Sequence, residues 1–219
     1  MTAARFLLAA GLAFSFATPA SAFCLCLKCA SAEWESFQAA SGSMKPALEP
    51  DACLIVQHGA KSERGDIIAF RHPVKPENTF IFRLTGLPGD TVQMTDGQVI
   101  LNGAALPQTA VAPYQQLMQP EGATRNTPLC PAPTAAGETC SIPRFTETVP
   151  ESAAYDILNL KPDGLGDFMT EITVPSGHVF VLGDNRDNAL DSRIGLEKGG
   201  PGFIPVENIL GPVVEFSTT

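Results

Sequence analysis

Proline and glycine punctuate this chain, nineteen of each in 219 residues, and that punctuation constrains the fold more than any other feature. Proline breaks a helix interior and glycine weakens one, so short strands joined by turns suit the sequence and a helical bundle does not. Cys53-Leu54-Ile55-Val56-Gln57 and residues 64–71 read as strands, and residues 80–84 follow a polar, proline-containing loop to close an antiparallel hairpin. The clearest hairpin joins Thr91-Val92-Gln93-Met94 to Gln98-Val99-Ile100-Leu101 through Asp96-Gly97, the chemistry of a tight two-residue turn. Asn102-Gly103 marks another turn. Residues 174–182 and 204–216 complete a core sheet, with a glycine-rich connection over 194–203.

Between residues 107 and 175 the composition shifts to Pro, Thr, Ala and Gln, and the strand signals shrink to a short stretch near 152–160. A disordered loop is the plain reading. Phe145, Tyr155 and Ile157 favour an irregular β subdomain instead. The expected fold class is therefore mostly β, an antiparallel core from residues 38–106 and 172–219 with residues 107–171 inserted into it. A cysteine-containing segment, residues 23–37, precedes the core.

The formal net charge of −9 gives no reason to expect a nucleic-acid partner or a basic membrane-binding patch. Hydrophobic residues make up 44% of the chain, enough for a core. Arg5, an apolar run from Phe6 to about Ala17, Pro19 and then Ala20-Ser21-Ala22 have the layout of a cleavable export signal over residues 1–22. The rival reading is an uncleaved anchor, because no charge interrupts residues 6–27 and about twenty apolar residues can span a bilayer. Either way the globular part lies outside the cytoplasm, periplasmic or extracellular, with membrane proximity in the second case. Six cysteines suit that compartment. Cys130 and Cys140 are expected to bridge; Cys24, Cys26, Cys29 and Cys53 could form two disulfides, a four-thiolate zinc site or buried free thiols.

Ser41-Gly42-Ser43-Met44-Lys45-Pro46 is a sharp polar turn ahead of an apolar run. Alone it could be linker. It is accompanied by Arg64-Gly65-Asp66-Ile67-Ile68-Ala69-Phe70, by Phe80-Ile81-Phe82-Arg83-Leu84-Thr85-Gly86-Leu87-Pro88-Gly89-Asp90, and by Gly183-Asp184-Asn185-Arg186-Asp187-Asn188-Ala189-Leu190-Asp191-Ser192-Arg193. In this order and spacing the four stretches resemble the type I signal peptidases, serine endopeptidases that release exported proteins from their signal peptides. The resemblance covers most of residues 38–105 and 172–214. It implies a disulfide in the region of Cys130 and Cys140, no cofactor and no catalytic metal. The implied partners are extended segments of exported proteins with small residues near the cleavage site.

The resemblance puts the nucleophile on Ser43, with its backbone N–H and the Ser41 hydroxyl stabilising the oxyanion. Met44, Arg83, Asp184, Arg186, Asp187, Asp191 and Arg193 match the family's scaffold, Arg83 pairing with Asp184 and Asp191 with Arg193. The general base does not match. The family's lysine position is Phe82, and the serine that orients the lysine amine is Ala189. A hydroxyl is a poor nucleophile without its base. Of the substitutes, Lys45 reads as an exposed, protonated side chain, and Lys75, His58, His72 and His178 read as ordinary surface or strand-end residues. Two functions remain: a signal-peptidase-like endopeptidase with a degraded Ser–Lys dyad, or an inactive pseudo-peptidase that binds extended segments by strand addition.

Overall fold

The structure is a computed structural model and describes residues 24, 26–123, 125–161, 163–164 and 166–217. The expected export signal, residues 1–22, and Phe23 lie outside the described residues. Fourteen strands form three sheets among them: β1 (Trp34–Gln38), β2 (Cys53–Gln57), β3 (Ile67–His72), β4 (Lys75–Gly86), β5 (Thr91–Thr95), β6 (Gln98–Leu101), β7 (Ala104–Ala105), β8 (Gln108–Leu117), β9 (Thr139–Glu147), β10 (Tyr155–Leu158), β11 (Met169–Thr173), β12 (His178–Leu182), β13 (Ile204–Pro205) and β14 (Ile209–Phe216). The largest sheet has the order β1-β2-β14-β3-β4-β12-β13, the second β11-β5-β6-β7 and the third β10-β9-β8. The fold is mostly antiparallel β.

Alternation explains the most regular strands. Leu54 and Val56 of β2, Val92 and Met94 of β5, and Val99 and Leu101 of β6 are all buried, while their neighbours face outward. Asp96 and Gly97 both adopt positive φ, 49° and 74°, so the β5–β6 hairpin turns as the sequence suggests; Asn102 and Gly103, at 52° and 77°, do the same between β6 and β7. The Pro-Gly-Asp turn after β4 is pinned by charge. Arg64 Nη1 donates to Asp90 Oδ2 at 2.7 Å, and the Leu87 N–H donates to the same oxygen at 2.6 Å.

Three stretches depart from expectation. Residues 34–37, expected in the segment that precedes the core, belong with Gln38 to a full edge strand of the main sheet, paired with β2. The loop expected before residue 80 is largely strand, because β4 begins at Lys75. The inserted region carries two long strands, β8 and β9, where the sequence marked short signals nearer 152–160. Each holds a proline that masks it, and the β8–β9 register shifts between Val111 and Tyr114, beside Pro113.

The cysteines form three bridges: Cys24–Cys53, Cys26–Cys29 and Cys130–Cys140. Four thiols are thus consumed in two bridges, and the zinc alternative falls. The chain-entropy account assigns about 2 kcal/mol to a loop of about four residues and about 3.5 kcal/mol to one of about thirty. Cys24–Cys53, 29 positions apart, is therefore the structural staple of the N-terminal segment, and Cys26–Cys29, three apart, contributes less.

Phe70 is fully buried between Phe80 and Phe82, with ring centroids 6.1 and 6.2 Å away. Phe70→Ala should destabilise the chain by about 3–5 kcal/mol, whereas Val74→Ala, at an exposed position, should stay within about 0.5 kcal/mol. Urea unfolding of the two variants checks this; equal losses would contradict the assigned core.

Candidate active site

Gly42–Met44 form a single 3-10 turn directly after β1. Met44 and Leu48 anchor it from below, 3% and 1% exposed. From above it is clamped by Asn185, whose backbone N–H donates to the Ser43 carbonyl at 3.0 Å and whose side-chain amide donates to the Gly42 carbonyl at 2.9 Å. These bonds fix the turn and leave the Ser43 side chain partly exposed. The Ser41 hydroxyl donates to Ser43 Oγ at 3.3 Å.

Gly183 gathers the remaining residues. A Cβ there would stand 2.3 Å from the Ala189 Cβ, 2.8 Å from the Ser43 carbonyl oxygen and 3.3 Å from Phe82 Cε1. Ser43, Phe82 and Ala189, distant in sequence, therefore meet at one point, where only glycine fits. Phe82 is 5% exposed and lies in an aromatic cluster with Phe70 and Phe80; His72 packs edge-on to Phe80 at 5.1 Å. A groove of about 280 Å³ opens beside Ser43, lined by Ala39, Ala40, Phe80, Phe82 and Leu190 among others. Its two long walls are the residues after β1 and the 79–82 stretch of β4.

The loop bearing Ala189 is held by buried charges. Arg83 donates from Nε to Asp184 Oδ1 at 2.8 Å and from Nη2 to Oδ2 at 2.6 Å, with Nη1 on the Gly65 carbonyl at 2.7 Å. Asp191 accepts from Arg193 Nε at 2.8 Å and from the Gly183 N–H at 2.9 Å. Asp187 accepts the Leu160 N–H at 2.7 Å, tying the loop to the insertion. Burial works against the Arg83 charge, but Asp184 outweighs it and holds the guanidinium above its usual range.

Three participants escaped the sequence reading. Glu147 of β9, fully buried, pairs with Arg186, which is itself 1% exposed. Tyr155 of β10 donates to Glu147 at 2.8 Å and stacks its ring against the Arg83 guanidinium at 3.9 Å. Asn185 is the clamp on the serine turn. No local signal marks a partner 39 residues away; the matching Arg186 was the only pointer, as a cation whose acid had to exist somewhere.

Lys45 corrects the sequence reading. It is buried, not exposed, because the turn directs it under the insertion, where Nζ donates to Gln116 Oε1 at 2.6 Å and Glu121 Oε2 at 2.7 Å, with Glu49 at 3.3 Å. The Lys45 amine is thus engaged by two carboxylates and an amide rather than by the Ser43 hydroxyl. His58 pairs with Glu35, His178 with the Ser176 carbonyl, and Lys75 is exposed at the start of β4. His72 is buried, and its Nδ1 accepts the Val74 N–H at 3.3 Å.

A family model described as "Signal peptidase, peptidase S26" matches residues 13–217. The chain belongs to this family. The signal peptidase I of Pseudomonas fluorescens is 32% identical over 198 residues, covering 81% of this chain and 62% of the relative. The signal peptidase I of Rickettsia massiliae is 33% identical over 166 residues, covering 71% and 52%. The chain thus spans between about half and three-fifths of the length of these curated relatives. A crystal structure of a signal peptidase I from Enterococcus faecalis shares 25% identity, covering 71% of this chain and 98% of its own, with a TM-score of 0.37. Among the described residues no helix is long and apolar enough to cross a membrane.

The buried Arg186–Glu147 pair gives a test. Burial pushes the Glu147 carboxyl up, but the Arg186 charge and the bonds from Arg186, Gln108 and Tyr155 more than reverse this and leave it below the ordinary value of 4.5. A depressed carboxylate contributes stability that is present above 4.5 and lost as pH falls through its folded value. Glu147→Ala should therefore destabilise the chain by about 3–5 kcal/mol at pH 7, since Arg186 stays buried without its anion. Glu147→Gln should flatten the fall in stability on acidification from pH 4.5 downward. Urea unfolding across pH 3–7 reads both; an acid limb in Glu147→Gln as steep as in the parent would contradict the assignment.

Proposed function

We propose that this member of the signal peptidase family is a pseudo-peptidase of the extracytoplasmic compartment, binding extended segments of exported proteins beside Ser43 without cutting them. The observation that carries the reading is the side-chain partner of Ser43 Oγ. It is the Ser41 hydroxyl, and the side chains gathered beside the serine turn at Gly183 are the phenyl ring of Phe82 and the methyl group of Ala189, at the positions the resemblance gives to the base and its orienting serine. A neutral hydroxyl needs a proton acceptor within reach to attack a carbonyl. Phe82 offers none, and Lys45 is committed elsewhere.

Binding needs less. The 75–82 stretch of β4 pairs with β3 on one side, while β12 pairs with β4 only from Arg83 to Gly86. Among the described residues the outer edge of residues 79–82 is therefore without a strand partner, and it faces the groove. A strand laid there could satisfy those backbone groups and seat small side chains between Ala39, Phe80 and Leu190. The Asn185 clamp, which keeps Ser43 presented, favours a second reading, an endopeptidase with a degraded dyad that retains slow cleavage.

Cleavage of a model signal peptide with an Ala-x-Ala site separates the two. Wild type should release product very slowly or not at all, since general-base catalysis contributes about 10²–10⁴-fold. Phe82→Lys alone should recover little, because the amine lacks its orienting hydroxyl, and Ala189→Ser alone should recover nothing. The double variant should exceed the sum of the singles, and Ser43→Ala in that background should abolish the gain. Brisk cleavage by wild type that Ser43→Ala stops would overturn the pseudo-peptidase reading.

A further inference from the structure

Two bridges are crowded into the segment before β1, and they do different things. Cys24–Cys53 joins the segment to β2. Cys26–Cys29 closes on itself within one turn and connects no two elements. With it open, the Cys24–Cys53 bridge and the pairing of β1 with β2 along Trp34–Gln38 would still hold the segment in place. The short bridge is therefore dispensable to the architecture.

Its surroundings suit exchange. The turn is on the surface: Leu27 is 87% exposed, and both cysteines are partly exposed. The Cys29 N–H donates to Cys26 Sγ at 3.1 Å. Once the bridge opens, that N–H faces a sulfur able to carry negative charge, and a hydrogen bond to the charged form favours it. Cys-x-x-Cys spacing itself lowers thiol pKa values, and a low-pKa thiolate is the better leaving group. Lys28 adds nothing here, because its ammonium is turned to Glu215 and the face of Trp34. Beside the bridges lies a groove of about 200 Å³ lined by Leu54, Ile55 and the half-exposed Phe216 together with Cys26. It offers a mostly apolar surface on the Cys26 side of the turn against which a partner polypeptide can lie.

We propose that Cys26-Leu27-Lys28-Cys29 is a redox-active disulfide that accepts electrons from cysteine pairs in polypeptides of the same compartment. A substrate thiolate attacks Cys29 Sγ; the Cys26–Cys29 bond breaks and Cys26 leaves as thiolate, giving a mixed disulfide. The second substrate thiol, losing its proton, then attacks the substrate sulfur of that mixed disulfide and expels Cys29. The substrate dithiol is oxidised by two electrons to a disulfide, and the Cys-x-x-Cys pair is reduced and takes up the two protons. A further disulfide, of a small thiol or another protein, reoxidises the pair. None of these steps uses the Ser43 groove, so the fate of this proposal is independent of the peptidase reading.

The test equilibrates the oxidised wild-type protein in glutathione buffers of increasing reducing strength, with acid quenching, alkylation of free thiols and mass-spectrometric mapping. Cys26 and Cys29 should become alkylated together in buffers where Cys24–Cys53 and Cys130–Cys140 remain closed. In a second arm, a reduced dithiol peptide is mixed with catalytic amounts of the protein and oxidised glutathione as terminal oxidant. Wild type should accelerate peptide oxidation about tenfold or more over glutathione alone, and the Cys26→Ser/Cys29→Ser variant should not. The proposal fails if Cys26–Cys29 opens only where the other two bridges open, or if the wild type gives no acceleration. Equal acceleration by the double variant also overturns it. The first arm needs no variant, so poor folding of the double mutant would not leave the question open.

Discussion

Two buried guanidinium–carboxylate pairs, Arg83–Asp184 and Arg186–Glu147, hold the site together, and most of its geometry depends on them. Charges this deep are tolerable only when every partner is in place. The first pair locks the 183–193 loop to β4, and the second locks it to the insertion through β9. Tyr155 spans both, bonding Glu147 and covering Arg83. Once the loop is fixed, Asn185 falls above the serine turn and its two hydrogen bonds hold Ser43 in position. The insertion is thereby part of the site's foundation.

On the proposed reading, this is how the site keeps its form with Phe82 and Ala189 where the resemblance puts the lysine and its orienting serine. The hydrogen bonds that position Ser43 come from Asn185 and involve neither residue 82 nor residue 189. Phe82 instead joins Phe70 and Phe80, and Ala189 closes against Gly183. An amine among these rings would need a hydrogen-bond acceptor, and removing the acceptor while keeping the amine would leave a buried polar group unsatisfied. A phenyl ring and a methyl group together avoid that penalty. The two substitutions are thus physically coherent as a pair.

Local chemistry was legible in the sequence. The Asp96-Gly97 and Asn102-Gly103 turns and the alternating strands β2, β5 and β6 sit in short stretches whose residue types set their conformation, and the motif stretches bearing Ser43, Phe82 and Ala189 do meet at Gly183. Long-range partnerships were not. Glu147 is one acid among many until Arg186 is found beside it, and Lys45 looks like a surface residue until Gln116 and Glu121 arrive from 71 and 76 positions away. The strands β8 and β9 were hidden by Pro113 and Pro143 and by a mostly exposed, polar β8, whose pattern resembles loop. Family membership rests on the match over residues 13–217, while the proposal that Ser43 lacks a base rests on its contact with the Ser41 hydroxyl and on the side chains gathered around Gly183.

The central claim is that the groove beside Ser43 binds without cutting. Fluorescence anisotropy of a labelled signal peptide with an Ala-x-Ala site, titrated with the wild-type protein and followed by mass spectrometry of the recovered peptide, addresses it most directly. The account predicts saturable binding, competition by unlabelled peptide, loss of binding when both small residues are replaced by bulky ones, and recovery of the peptide intact after prolonged incubation. Absence of saturable binding, or a peptide recovered cleaved after the second alanine, would contradict it.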